Sequence, residues 1–406
     1  MEMKKESLKM DKNQKLALLV VSVAIFTDIM IYSMIVPILP QYAAELGASQ
    51  EIIGLMFASY AIAFLITTPI VGIISDRMGR KLPMIAGLVG LFGSTLLFAF
   101  SNDTATLIVA RALQGVSAGA TWTAGLALLA DMFPAETRQQ ATGFALVGSF
   151  AGTLLGPAFG GMLYEAGGYT LPFIVAAGIV LVDGAARMFL LKDPPRQSDG
   201  EKPTLRTLIK SPAMVILAGV IVITSSTIAL LEPTLPLHLA QNLGVSPTLI
   251  GLLFGIIVVG SIIASPLSYV VARRFGRRKT VVAGLIATGL LLPATAFAGS
   301  FLIEAVLMLL LGAVLAIGLA SVPQEMTEIA DRLGRGGYGA VYALYNVAMS
   351  AGMMIGPLAG GILAGSMGIG VGLAIAGACM VVYAIVLAVS LRPAGAPASS
   401  VLSVKM

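Results

Sequence analysis

Five charged side chains stand inside otherwise apolar stretches of the chain: Asp28, Arg111, Asp183, Arg187 and Glu232. An ionised group in hydrocarbon costs at least about 2.5 kcal/mol, so each needs a partner, water or a task. Asp183 and Arg187 stand four residues apart near one end of their stretch, the spacing of an ion pair on a helix surface, and read as structural. Asp28 lies about twelve residues into its stretch, close to the middle of a bilayer at about 1.5 Å per residue, with no base within a turn. Glu232 lies nearer the far edge of its own stretch, just ahead of Pro233, which removes a helical hydrogen bond and bends the chain beside the carboxylate. Taking a carboxylate out of water favours its protonated form, so such an acid holds either a proton or an organic cation, and the two compete. Competition for one site is the physical core of antiport. The competing reading is a neutral carboxyl that burial simply tolerates.

The elements that must carry these residues follow from composition. With 57% hydrophobic and 11% charged residues, a soluble domain of this length would be covered in apolar surface, so the solvent is itself apolar. Twelve runs are long enough to cross about 30 Å of hydrocarbon: 16–40, 50–75, 82–101, 105–131, 139–164 and 170–191, then 213–238, 247–272, 280–299, 302–329, 338–364 and 368–391. The expected fold is all-α and integral to the membrane, in two six-helix bundles, 1–191 and 213–406, joined by a polar linker over 192–212. The bundles are copies. Gly72 to Lys81 returns as Ser268 to Arg278, Gly54 pairs with Gly251, Pro69 with Pro266 and Gly87 with Gly284, while Asp131 matches Asp331 and Gly156-Pro157 matches Gly356-Pro357.

All Lys and Arg except Arg111 fall at the termini, in alternate loops and in or beside the linker, which places both termini and the linker in the cytoplasm of a cell expected to hold the protein in its inner (plasma) membrane. The net charge of +5 is therefore topology rather than nucleic-acid affinity. One Cys excludes a disulfide framework, and the lone His238 with no cysteine cluster excludes a metal site. No phosphate cradle of the type Gly-x-x-x-x-Gly-Lys-Ser/Thr is present, so ATP-driven pumping and enzymatic readings fall away, and no cofactor beyond protons is expected.

Gly72 to Lys81 resembles the loop signature of the major facilitator superfamily, and Arg111-Ala112-Leu113-Gln114-Gly115 resembles its fourth-span motif with a buried arginine. Gly148, Gly152, Gly156-Pro157 and Gly160 resemble the antiporter motif of its drug:proton exchangers, although glycines every fourth residue also allow helices to pack closely. Phe57-Ala58-Ser59 through Ile66-Thr67, Leu163-Tyr164-Glu165 and Leu231-Glu232-Pro233 are similar to the vesicular monoamine transporters. That resemblance implies that Asp28 and Glu232 face the amine and that Arg111 lies in the central cavity. It also marks departures: Tyr60 stands for a lysine, Asn346 for an aspartate, and no acid occurs at 319–321. Tyr60 or Asn346 is then the expected hydrogen-bond partner of Asp28, with Arg111 and Gln114 nearby and Arg111 tuning both acids.

Tyr32, Tyr342 and Trp122 offer aromatic faces to a flat cation, or simply pack. Asp76, Arg77, Arg80, Asp131, Arg138 and Asp331 are expected to form a cytoplasmic gate, Asp76 latching against the end of the eleventh span. The expected function is a monomeric proton-coupled exporter of aromatic monoamines such as serotonin or dopamine. Broad multidrug efflux without monoamine preference, and a facilitator or symporter of a neutral solute, remain the alternatives.

Overall fold

The computed structural model of this 406-residue chain describes residues 10–191, 208–332 and 338–390. Most of the expected linker, Arg335 and the side chain of Glu136 lie outside the described residues. In order, the first part holds α1 (Lys12–Met34), the short α2 (Leu39–Glu45), α3 (Gln50–Met78), α4 (Lys81–Ala99), α5 (Thr104–Met132), α6 (Ala135–Gly167) and α7 (Thr170–Leu190). The second holds α8 (Pro212–Leu243), α9 (Pro247–Phe275), α10 (Arg277–Leu291), α11 (Phe301–Leu319), α12 (Val322–Arg332), α13 (Tyr338–Met367) and α14 (Ile369–Ser390). Among the described residues there is no strand.

Local chemistry sets the helix ends. Asp11 accepts the Gln14 amide at 2.7 Å while the Gln14 side chain accepts the Asp11 amide at 3.0 Å, a reciprocal cap that starts α1. Asp103 starts α5 by accepting the Thr106 amide at 2.8 Å. Gly79 and Gly276 stop α3 and α9 at φ 93° and 89°, a backbone that only glycine adopts at little cost. These two stand 197 positions apart, as do Gly47 and Gly244, while Gly168 and Gly368 stand 200 apart, so the left-handed turns repeat with the duplication.

Eleven helices among the described residues are long and apolar enough to cross a membrane. The remaining long helix is α5, whose composition is diluted by Arg111, Gln114 and several small polar residues on its buried side, while Val109, Leu113 and Val116 stay exposed. Two of the expected runs are interrupted. The run 302–329 divides at Ala320 and Ser321 between α11 and α12, and the run 280–299 ends in a 3-10 turn over Leu292–Ala296 that contains Pro293.

Glycines bring the helices together. Gly148, Gly152, Gly156 and Gly160 of α6 lie against α1 at Ser22, Phe26, Met30, Ser33 and Met34, and Pro157 lies inside the helix. Gly352, Gly356 and Gly360 of α13 lie in the same way against Val222, Ser226 and Leu230 of α8. The glycine ladder is thus a packing device used twice. Between the two parts of the chain, Gly54 of α3 meets Pro357 and Gly361 of α13, and Gly251 of α9 meets Pro157 and Ala158 of α6. Gln50 donates to the Pro233 carbonyl at 2.8 Å and Glu165 accepts the Thr248 amide at 2.9 Å, crossing between the same parts.

Both seams lie at the end away from Gly79 and Gly276. The interior therefore opens toward the end that carries the basic loops. Tyr342 and Asn346 are exposed there, on the side of α13 about half a helical turn away from the exposed, lipid-side Ile355 and Ile362.

Candidate functional site

The five charges read from the sequence gather into two groups, Glu232 half-buried and the other four buried, while the wholly buried Glu304 of α11 stands apart with neither carboxylate oxygen partnered among the described residues. In the first, the Tyr32 hydroxyl of α1 donates to Glu232 Oε2 of α8 at 2.7 Å. Arg111 of α5, wholly buried, donates from Nη1 to Gln114 Oε1 at 2.6 Å. Its guanidinium carbon lies 4.5 Å from the Tyr32 ring, 4.9 Å from Phe57 and 5.2 Å from Tyr60, so aromatic faces enclose the charge. Arg111 Nε and Nη2 have no hydrogen-bond partner among the described residues. α5 approaches α3 this closely because Gly115 sits on the Tyr60 carbonyl.

In the second group, Asp28 of α1 is 2% exposed and both of its carboxylate oxygens lack a hydrogen-bond partner among the described residues. The charged groups that act on it are Arg187 and Asp183 of α7, with the Thr121 hydroxyl of α5 beside it. Arg187 donates from Nε and Nη2 to Asp183 Oδ2 at 3.0 and 2.5 Å, and from Nη1 to Thr121 Oγ1 at 2.9 Å and to the Met84 carbonyl at 3.2 Å. The two groups are about 6 Å apart along α1, the rise of the one turn between Asp28 and Tyr32.

Three expectations are corrected here. Asp28 hydrogen-bonds neither Tyr60 nor Asn346: Tyr60 lies within electrostatic reach of it, while Asn346 faces the open interior. Arg111 acts on Glu232, and Arg187 is the base beside Asp28, so one arginine does not serve both acids. The expected Asp183–Arg187 ion pair forms, at 2.5 Å, but it is buried, its side chains 1% and 0% exposed.

The i, i+4 spacing found the pair, but nothing in one helix reports what a second helix presses against it. Phe57, Phe64, Thr121 and Met353 were also missed as lining. Phe57 and Phe64 stand three and four residues from Tyr60 on α3, a spacing that puts them on its face. Phe64, Trp122 and Met353 pack around Tyr32, Tyr60 and Ala118, and the Trp122 indole N–H is buried without a partner among the described residues.

At the basic end, Arg80 donates to Asp76 at 2.6 Å and to Asp131 at 2.7 Å, all within the first part of the chain. Two hydrogen-bonded carboxylates hold the Arg80 guanidinium above its ordinary pKa against the opposing effect of burial, so it stays charged. Arg277 pairs with Glu328 in the second part. Both members of that pair lie 197 positions beyond Arg80 and Asp131, so the counterpart of Asp131 is Glu328, and the expected match with Asp331 is wrong. Lys81 caps the carbonyls of Met188 and Leu191, and Arg278 those of Leu387 and Ala388. Arg138 Nε is buried without a partner among the described residues, and Arg77 and Asp331 are exposed. A groove of about 250 Å³ between Ser268, Arg273, Arg277 and Gln324 lies at this end, away from both acid groups.

The sequence profile of the Major Facilitator Superfamily matches residues 21–231 and again 217–404. The synaptic vesicular amine transporter of Mus musculus is 36% identical over 309 residues, which make up 75% of this chain and 59% of that protein. The probable vesicular acetylcholine transporter-B of Danio rerio is 36% identical over 256 residues, covering 60% of this chain and 52% of that one. The chain thus spans under two thirds of the length of these relatives. Among solved structures, a bacterial homologue of the human lysosomal transporter Spinster superposes with a TM-score of 0.77 at 15% identity, over 93% of this chain and 96% of the other. A twice-matched profile, a helical fold duplicated at its turns and seams, and charges gathered at its centre have one common explanation: this multi-pass membrane protein belongs to the major facilitator superfamily.

Proposed function

We propose that the chain is a proton-coupled antiporter that exports organic cations carrying an aromatic ring, monoamines such as serotonin or dopamine foremost, by alternating access. One observation carries the reading: Asp28 is buried, with neither oxygen hydrogen-bonded among the described residues, one turn below an aromatic wall formed by Tyr32, Tyr60 and Phe57. A carboxylate so placed needs a positive charge, and a protonated amine supplies one while its ring lies on the wall. Arg111 now occupies the faces that such a ring would share. The names of the vesicular amine relatives support the same cargo.

With the basic end in the cytoplasm by the positive-inside rule, the seams of α3 with α13 and α6 with α9 close the outer side. Cargo enters past Asn346 and Tyr342, displaces the proton held at Asp28, and leaves outward after the halves rock; a proton from outside then discharges it. Gln114 holds Arg111 in place, and Glu232 serves as the second station. Asp76, Arg80 and Asp131 release and re-form at the gate. Protons alone couple the cycle, with no other cofactor, in a monomer of the inner membrane.

The test is uptake of labelled serotonin into proteoliposomes under an imposed pH gradient. Gradient-dependent accumulation that disappears in Asp28→Asn is the expected result. Accumulation indifferent to the gradient, or unchanged in the variant, overturns the reading.

A further inference from the structure

The Asp183–Arg187 pair is more than a brace when its surroundings are counted in whole charges. Asp183 is ion-paired with the buried Arg187 at 2.5 Å, and the buried Asp28, with no hydrogen bond to that guanidinium, lies within its electrostatic reach and that of Asp183. Arg187 uses Nε and Nη2 on Asp183, and Nη1 on Thr121 and Met84. Asp183 Oδ1 and both Asp28 oxygens are left without hydrogen-bond partners among the described residues. Thr121 accepts from Arg187 and so joins that guanidinium to α5. Besides α7 and α5, α3 contributes Tyr60, which faces Asp28 as a neutral phenol; α4 contributes only the Met84 carbonyl. Glu232 and Arg111 act on each other and balance separately.

Fully ionised, the lower group carries one uncompensated negative charge in a water-free interior, the costly case for a buried cluster. We propose that Asp183 and Arg187 belong to the exchange site: the Asp28–Asp183–Arg187 triad holds a single positive charge at a time, a proton or the cargo cation, and Arg187 fixes that number at one. When the proton binds, an O–H bond forms on one carboxylate at the expense of water-borne hydronium. When the cation arrives, that proton returns to water. Arg187 is a positioning residue here, acting through the two acids. The identity of the competing cation rests on the antiport reading; the count of protons does not.

The test therefore uses no cargo. Infrared difference spectra of the purified protein at neutral pH, referenced to Asp28→Asn, report the protonated-carboxyl band of the triad. The wild type should show one carboxyl equivalent. Asp183→Asn should lose it although Asp28 is intact, because Asp28 and Arg187 then balance. Arg187→Gln should show two equivalents. Should Asp183→Asn not yield folded protein, Asp183→Asn/Arg187→Gln decides: Asp28 alone still requires one proton, so the band returns to one equivalent. A band that persists in Asp183→Asn, stays single in Arg187→Gln, or is absent from the double variant overturns the proposal and leaves the pair a brace. Failure of serotonin uptake with these spectra as expected would overturn the antiport reading and leave the triad standing.

Discussion

The two halves of the chain share a backbone plan and divide the chemistry unequally. Gly115 on the Tyr60 carbonyl is matched by Gly312 on the Ile257 carbonyl, and the Arg80–Asp131 pair by Arg277–Glu328. In the same registers, Asp28 corresponds to Thr224, which is satisfied by the Val220 carbonyl at 2.7 Å, and Arg111 to the buried Met308. Asp183 and Arg187 correspond to Tyr383, which donates to the Ile216 carbonyl at 2.7 Å, and to buried Leu387. Glu232 and the wholly buried Glu304 reverse the pattern, standing where the first half has Val36 and Leu107. Glycines, turn residues and end-capping bases recur because every such bundle needs them to pack. Among the described residues no buried charge is repeated at its matching position in the other half, since each costs free energy that only a task offsets.

Substitutions that make one half resemble the other test this division. The largest effect is expected from Arg111→Met, which copies Met308. It removes a charge held by three rings and strands Gln114, so about 3 kcal/mol, or more than a hundredfold in uptake rate, should be lost. Met308→Leu should change the rate less than about twofold, a volume-conserving swap. Comparable losses in both would erase the contrast.

Next come Gly115→Ala and Gly312→Ala, where the new methyl meets a partner carbonyl in either half. Each should destabilise by about 1–3 kcal/mol, read as equal drops in thermal unfolding temperature of the purified protein. Unequal drops would show that the packing plan is itself lopsided.

A smaller effect is expected for Tyr32→Phe, which deletes the hydroxyl donated to Glu232. Affinity for the transported cation, measured by competition, should weaken by about 1 kcal/mol, roughly fivefold, while Ile228→Val at the matching place in α8 leaves it unchanged.

Smallest is Glu165→Gln at the α6–α9 seam. Hydrogen bonds from Ser246 and from the Thr248 amide hold this carboxyl below its ordinary pKa. A depressed acid stabilises the fold at pH above its unfolded pKa of about 4.3 and loses that contribution as pH falls through the folded value. The unfolding temperature of wild type should exceed that of Glu165→Gln slightly at neutral pH, and the gap should close only as pH falls below about 4, through the depressed folded value. At the other seam the matching position is Gly365, with Glu51 beside it, so no such acid-sensitive difference should arise from residue 365.

Much of this was legible along the chain. Apolar run lengths located the helices because a lipid-facing helix needs a nearly unbroken apolar stretch, and Gly79 and Gly276 marked matching stops because a left-handed turn excludes most other residues. The lone acids were conspicuous for the same reason. The break at Ala320 and Ser321 lies where Pro323 lacks the N–H that would reach the Leu319 carbonyl, but prolines also stand within unbroken helices here, as at Pro69 and Pro157, so the residue alone does not mark a break. The match of Asp131 with Glu328 was hidden by a competing acid at 331, and only the repeated arginine contact resolved it.

The sequence by itself determined a duplicated, twelve-helix membrane protein with a few costly charges, four in its first half and Glu232 in its second, because hydropathy, turn stereochemistry and burial cost act over neighbouring residues. The tertiary structure alone decided which of those charges meet. Asp28 finds Arg187 and Arg111 finds the rings of Tyr32, Phe57 and Tyr60 only where α1, α3, α5 and α7 cross, and the side-chain distances that set electrostatic coupling between separate helices leave no periodic trace in any one of them.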